Sequence, residues 1–138
     1  MILLDTDILT LWLTGHSVVG RHVLEISDLV AITVISRIEL LRGRFDFLLK
    51  ADDGARIQVA QARLDQTERQ LAGLAVVPFD AGSAAEFDRL RQVKKLKQIG
   101  RADLLIACMA MAHRATLVTR NLRRFRQISG RMMENWAD

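Results

Sequence analysis

The chain has no tyrosine, one proline, one cysteine and an aromatic content of 5% over 138 residues. Each shortage excludes something. A lone cysteine, Cys108, permits no internal disulfide. It lies in the apolar run Leu104-Leu105-Ile106-Ala107-Cys108-Met109 and reads as a small buried side chain, a usage compatible with a reducing cytoplasm. With Pro78 as the single proline and no low-complexity stretch, extended disorder away from the termini is excluded. So few aromatics leave little on which single-stranded bases could stack. Trp12 and Trp136 read instead as core or dimer-interface residues. No apolar run approaches the ~20 residues that a membrane span needs. The opening Met1-Ile2-Leu3-Leu4-Asp5 has no basic residue ahead of its apolar run and an acid directly after it, unlike a secretory leader. A cytoplasmic protein with no membrane partner is the expectation.

What is present suits one globular domain spanning residues 1–138. Half the residues are hydrophobic and 26% are charged. A chain of this length buries roughly two thirds of its unfolded surface, enough to fold without a disulfide or metal staple. Charge is divided unevenly. Residues 1–88 carry eight basic side chains against thirteen acidic ones, a net of −5, and residues 89–138 carry twelve against three, a net of +9. Sixteen of the twenty basic residues are arginine, the better fork-shaped partner for phosphate. An acidic half joined to an arginine-rich half suggests a metal or acid site beside a polyanion-binding face, although basic helices are often only solvated faces.

Short apolar runs alternate with helical patterns. Strands are expected at residues 2–5, 30–34, 76–79 and 115–119, with a final extended piece near 131–136. Helices are expected at 6–13 (broken near Gly15), 17–26, from Ser36 through Leu49, 55–74, 82–98 with Gly100 just beyond, and 103–113, with a short turn or helix at 121–125. This alternation argues for a parallel sheet between helical layers. In such sheets ligands bind at the carboxyl ends of the strands.

Polar residues just after strands therefore matter most. Asp5 ends the first strand, Glu39 lies one helical turn beyond the second, Asp103 opens an apolar helix, and Thr119 and Asn121 follow the last core strand. Three ionised carboxylates brought together need a counter-ion, and Mg²⁺ suits a few carboxylates plus waters and phosphate oxygens. Each acid also has a plain structural use. Asp5 or Asp7 can cap the first helix, Ser36-Arg37-Ile38-Glu39 fits a capping box, and Asp103 and Asn121 can cap the helices they precede. Spacing alone leaves both uses open. His16, His22 and His113 have no metal-ligand spacing, and the methionines read as packing residues.

Four segments, in register and at the right total length, resemble the PIN-domain ribonucleases, and among them the VapC-type toxins of bacterial toxin–antitoxin pairs. They are Leu3-Leu4-Asp5-Thr6-Asp7-Ile8-Leu9, Ile38-Glu39-Leu40-Leu41-Arg42-Gly43, Ile99-Gly100-Arg101-Ala102-Asp103-Leu104-Leu105-Ile106-Ala107, and Ala115-Thr116-Leu117-Val118-Thr119-Arg120-Asn121-Leu122-Arg123-Arg124-Phe125 closed by Glu134-Asn135-Trp136. The resemblance implies a three-layer α/β/α sandwich around a mostly parallel sheet of about five strands. It implies an endoribonuclease dependent on Mg²⁺ or Mn²⁺. Asp5, Glu39 and Asp103 would be the catalytic and metal-holding acids, with Asn121 catalytic beside them and Thr119 lining the same pocket. The implied partners are an RNA substrate, a VapB-like antitoxin and a second copy of the chain in a homodimer, with DNA reached only through the antitoxin.

Two departures stand out. Many relatives have Asn where this chain has Asp7, and here a cap is favoured. Many also carry an acid where this chain has Arg124, inside Arg123-Arg124-Phe125-Arg126. Arg42, Arg101, Arg120, Arg123 and Arg124 are the candidate phosphate contacts, and pairing with an acidic antitoxin segment is their rival role. Two rival functions remain. One is a PIN-fold module with a degraded site that only binds RNA or antitoxin. The other is a haloacid-dehalogenase-like phosphatase, suggested by Asp5-Thr6-Asp7 but short of a second late acid and of a cap domain.

Overall fold

A computed structural model describes residues 1–128 and 132–138. Short, mostly apolar runs form the strands, and among the described residues five of them make one sheet. These are β1 (Ile2–Leu4), β2 (Val30–Thr33), β3 (Ala75–Val77), β4 (Thr116–Val118) and β5 (Met133–Glu134). The sheet order is β3-β2-β1-β4-β5, and every pairing is parallel. The helices are α1 (Thr6–Leu13), α2 (Ser17–Glu25), α3 (Val34–Leu49), α4 (Gly54–Ala72), α5 (Ala81–Leu90), α6 (Arg101–Ala112) and α7 (Leu122–Arg126), with a single 3₁₀ turn at Lys94–Leu96. None of the described helices is long and apolar enough to cross a membrane.

Strand side chains alternate between two separate cores, which defines the three layers. Leu3, Ala31, Val77 and Leu117 project to one face, against Leu90 of α5, Ile106 and Met109 of α6 and Phe125 of α7. Ile2, Leu4, Ile32 and Val118 project to the other, against Ile8 and Leu9 of α1, Val19 of α2, Leu40 of α3, Leu71 of α4 and Trp136. Burial on both faces explains why the strands read as continuous apolar runs rather than alternating ones. Trp136 joins the second core with its indole N–H donating to Glu134 and its ring stacked on His22, so it is a core residue.

Local signals set the ends. Gly15 adopts φ +90° directly after α1, a left-handed turn that a side chain would resist. Helix α3 begins at Val34, two residues earlier than expected, because the Thr33 hydroxyl accepts from the Ser36 N–H and caps it. The expected capping box at Ser36–Glu39 therefore does not form. Helix α5 stops at Leu90 rather than continuing to 98. Leu90, Leu96 and Ile99 all enter the same core. An unbroken helix would turn Ile99 about 180° away from Leu90, so the chain breaks and re-aims. Gly100 is not the end of that helix but the residue that precedes α6. Strand β3 starts at Ala75 and ends before Pro78, which has no N–H to offer the ladder. The extended piece expected near 131–136 is β5 in its described part; residue 131 lies outside the described residues.

Reading outward from β1, the chain builds β2 and β3 on one side, then crosses back to add β4 and β5 on the other. That reversal leaves a crevice between the carboxyl ends of β1 and β4, where open α/β sheets place their ligands.

Candidate active site

Asp5 stands at that crevice. Its backbone N–H donates to the Val118 carbonyl at 2.8 Å, which pins the end of β1 to β4. Its side chain is 5% exposed and fully engaged on the protein side. Oδ1 accepts from the Thr6 N–H at 2.8 Å, and Oδ2 accepts from the Thr119 hydroxyl at 2.8 Å. Asp5 is thus the cap of α1 and a site carboxylate at once; the two uses are compatible because each takes a different oxygen. Burial pushes its pKa up to about 6, opposed by those two hydrogen bonds and reinforced by the charges of Asp103 and Asp7.

Thr119 is wholly buried and supports the site rather than lining it. Its N–H donates to the Glu134 carbonyl, its hydroxyl donates to Asp5, and the same oxygen accepts from the Asn121 N–H at 3.0 Å. Asn121 precedes α7, but its side chain makes no capping bond. It borders the same cleft as the acids.

Glu39 lies exposed on α3, released from the capping role by the earlier helix start. Thr6 Oγ1 is 2.6 Å from Glu39 Oε1 and 2.9 Å from Ser36 Oγ. A hydroxyl has one proton, and the shorter, charge-assisted contact takes it, leaving Ser36 to donate to Thr6. Thr6 thereby ties α1 to α3 and aims Glu39. The sequence reading missed this residue, although it sits between two singled-out acids, because the partner is thirty-three positions away.

Asp103 is in the first turn of α6, two residues after its start, where an acid complements the helix dipole. It is not the cap; Gly100 occupies that position and makes no side-chain capping bond. The Asp103 carboxylate pairs with the guanidinium of Arg124. Asp7, in the first turn of α1, makes no capping bond either, which corrects the preference for a cap there.

These residues border one cleft of about 380 Å³: Asp5, Asp7, Glu39 and Asp103 with Thr6, Asn121, Arg101 and Arg124. The arginines expected at a substrate face divide. Arg101 lines the cleft with its guanidinium over the Phe87 ring, 5.3 Å from the centroid, and Arg124 lines it on the opposite charge partner. Arg42 borders an adjoining groove with Ile38, Glu39 and Arg101. Arg120 and Arg123 are exposed and border neither.

The donor set is hard oxygen throughout, the chemistry of Mg²⁺ or Mn²⁺ rather than of zinc or copper. Among the described residues, no three side chains of His, Cys, Asp or Glu stand close enough together to form a cage. Mg²⁺ does not require one, because it keeps several waters and takes one or two carboxylates. The buried, otherwise uncompensated Asp5 fits that need.

A parallel sheet in this order, with acidic side chains bordering one cleft at the point where the strand order reverses, is an α/β/α sandwich with a candidate acid site at its switch point. The PIN-domain family model matches residues 2–131. Ribonuclease VapC2 of Rickettsia felis is 30% identical over 97% of this chain and 96% of its own. The chain belongs to the PIN-domain family, as a VapC-type member. Solved structures agree. The VapBC2 complex of Rickettsia felis, bound to a DNA fragment from its promoter, superposes with a TM-score of 0.75 at 30% identity, covering 99% of both chains. FitAcB of Neisseria gonorrhoeae gives 0.72 at 29% identity over 98% of this chain and 97% of that one. VapBC-1 of nontypeable Haemophilus influenzae shares the fold, with a TM-score of 0.79 at 22% identity over the whole of both chains. This family membership leaves the haloacid-dehalogenase-like alternative without support.

Proposed function

We propose that the chain is an endoribonuclease dependent on Mg²⁺ or Mn²⁺ and the toxin of a toxin–antitoxin pair. The observation that carries the reading is the buried Asp5 carboxylate, held by Thr6 and Thr119 in a cleft it shares with Glu39 and Asp103. Asp5 and Asp103 would hold the cation directly, and Glu39 through water. When bound, the ion supplies charge stabilisation at the phosphodiester and an activated water. The chain's own residues do the rest. Thr119 keeps one oxygen of Asp5 fixed, and Thr6 keeps Glu39 turned into the cleft, where it accepts a proton from the attacking water. Asn121 offers an amide to the scissile phosphate. Arg101, braced on Phe87, and Arg42 in the adjoining groove grip flanking phosphates. With few aromatics nearby, recognition rests on RNA shape and backbone rather than on base stacking.

The relatives solved as VapBC2 and FitAcB support a VapB-like antitoxin as partner; the working unit is the homodimer that the family resemblance implies. DNA contact comes through the antitoxin, as suits a relative solved on its promoter fragment. Ile38, Phe45 and Leu49 form an exposed apolar stripe at helical spacing on α3, available to such a partner. The Arg124–Asp103 pair favours a second reading, a non-catalytic binding module.

Incubation with a pool of transfer RNAs and a long single-stranded RNA, in Mg²⁺, Mn²⁺ or EDTA, tests the enzyme reading. Discrete cuts that need metal and vanish in Asp5→Asn and Asp103→Asn support it. No cutting, with Mn²⁺ failing to raise the melting temperature, favours the binding module.

A further inference from the structure

Arg124 is the one position in the cleft where the family resemblance puts an acid and this chain has a cation. Its guanidinium is bonded to the Asp103 carboxylate, and its side chain is otherwise 49% exposed on the short helix α7. It is therefore a long arm fixed at its tip, not a packed residue. Asp103 is the carboxylate it engages; Asp5 keeps its own bonds to Thr6 and Thr119.

The charges of the cleft give this contact its meaning. Four acids and two arginines border it, a formal charge of −2. One divalent cation balances that. An acid in place of Arg124 would leave −4, the charge of two divalent cations. An arginine and a metal ion also cannot both sit on the same face of one carboxylate. We propose that Arg124 is a resident counter-ion, which occupies Asp103 until a divalent cation displaces it and holds the site to a single ion. The inference rests on the metal-dependent reading above. Arg124 is then a positioning residue for the metal: it lowers affinity by direct competition and sets how many ions bind.

Titration calorimetry with Mn²⁺ on the purified full chain tests this without any RNA. The expected result is one ion per chain for the wild type. In Arg124→Gln affinity rises about tenfold, because the guanidinium that competes with the ion for the Asp103 carboxylate is gone, and the count stays at one. Arg124→Asp takes up a second ion. Arg124→Lys, which keeps the charge but loses the fork, stays close to wild type in count. In an Asp103→Asn background, Arg124→Gln changes affinity less than twofold, since the competition needs that carboxylate. Equal affinity in wild type and Arg124→Gln, with the salt dependence of RNA binding reduced by about one phosphate, would make Arg124 a substrate contact and overturn the proposal while leaving the metal site standing. Absence of Mn²⁺ binding in every variant would overturn both.

Discussion

The two walls of the cleft treat negative charge in opposite ways. On the β1 side, Asp5 is buried, carries no cation, and is held by neutral donors alone. On the α6 side, Asp103 is partly open to solvent and already has its cation in Arg124. The first wall is held by neutral hydrogen bonds and lacks a counter-charge among the described residues; the second has its counter-charge in place. A site built this way keeps one carboxylate aimed and, on the proposal above, exchanges the partner of the other. The fold makes the difference. Asp5 sits where two strand ends meet in the middle of the sheet, whereas Asp103 and Arg124 belong to helix starts on its rim.

The largest effect that tests this comparison is on activity. Asp5→Asn and Asp103→Asn should each lower RNA cleavage on the order of 10³-fold or more, as for groups that act as a unit. Quantified cleavage rates check it, and a double variant little worse than either single one is the expected pattern. Stability should then separate the two walls. In metal-free protein the folded Asp5 binds its proton more tightly than the unfolded chain does, with a pKa of about 6 against 3.8. Between those values the unfolded state holds fewer protons, so stability falls as pH rises. The loss is about 3 kcal/mol by neutral pH. Urea unfolding across pH 4 to 7 reads this slope. Asp5→Asn should flatten it and Asp103→Asn should not; a slope that survives in Asp5→Asn would break the contrast.

Thr119→Val is the next in size. It removes a buried donor to Asp5 while keeping the shape, at a cost of about 1–2 kcal/mol. It should also raise the Asp5 pKa above about 6 and weaken Mn²⁺ binding by about 10- to 100-fold, as loss of a group orienting a ligand does. The smallest effect lies outside both walls. Arg114 follows α6 at φ 51°, a left-handed conformation that glycine adopts more easily. Arg114→Gly should stabilise the fold by about 1 kcal/mol and leave the pH slope unchanged. A thermal melt suffices.

Much of this arrangement is legible in the chain itself, and the exceptions are instructive. Strands such as Ile2-Leu3-Leu4 and Thr116-Leu117-Val118 are recognisable because burial on both faces leaves no charged residue in them. The acids after them follow from that placement. Two helices, α3 at Val34 and α6 at Arg101, start two residues before the sequence pattern indicates. Val34 and Ile35 are β-branched and look like more strand, so the pattern points to Ser36 as a cap that Thr33 in fact supplies. At Arg101 the capping position holds glycine, which leaves no side-chain signature. Lys94-Lys95-Leu96-Lys97 has good helix-forming residues, yet the need to bury Leu90 and Ile99 in one core overrides that preference. The bridge from Thr6 to Glu39 and the pairing of Arg124 with Asp103 join distant segments, and no local pattern encodes either contact.

The bond between Thr119 and Asp5 joins residues 114 positions apart. A ribosome adding about 5–20 residues per second releases Asp5 several seconds before Thr119 exists. During that interval β1 has no β4 beside it, and the carboxylate has neither its burial nor its donor. On the proposed reading, a nascent chain is therefore harmless to the RNA around it until the segment carrying Thr119 has emerged. On that reading, the delay built into this topology would give an antitoxin time to be present before the first molecule becomes competent to cut.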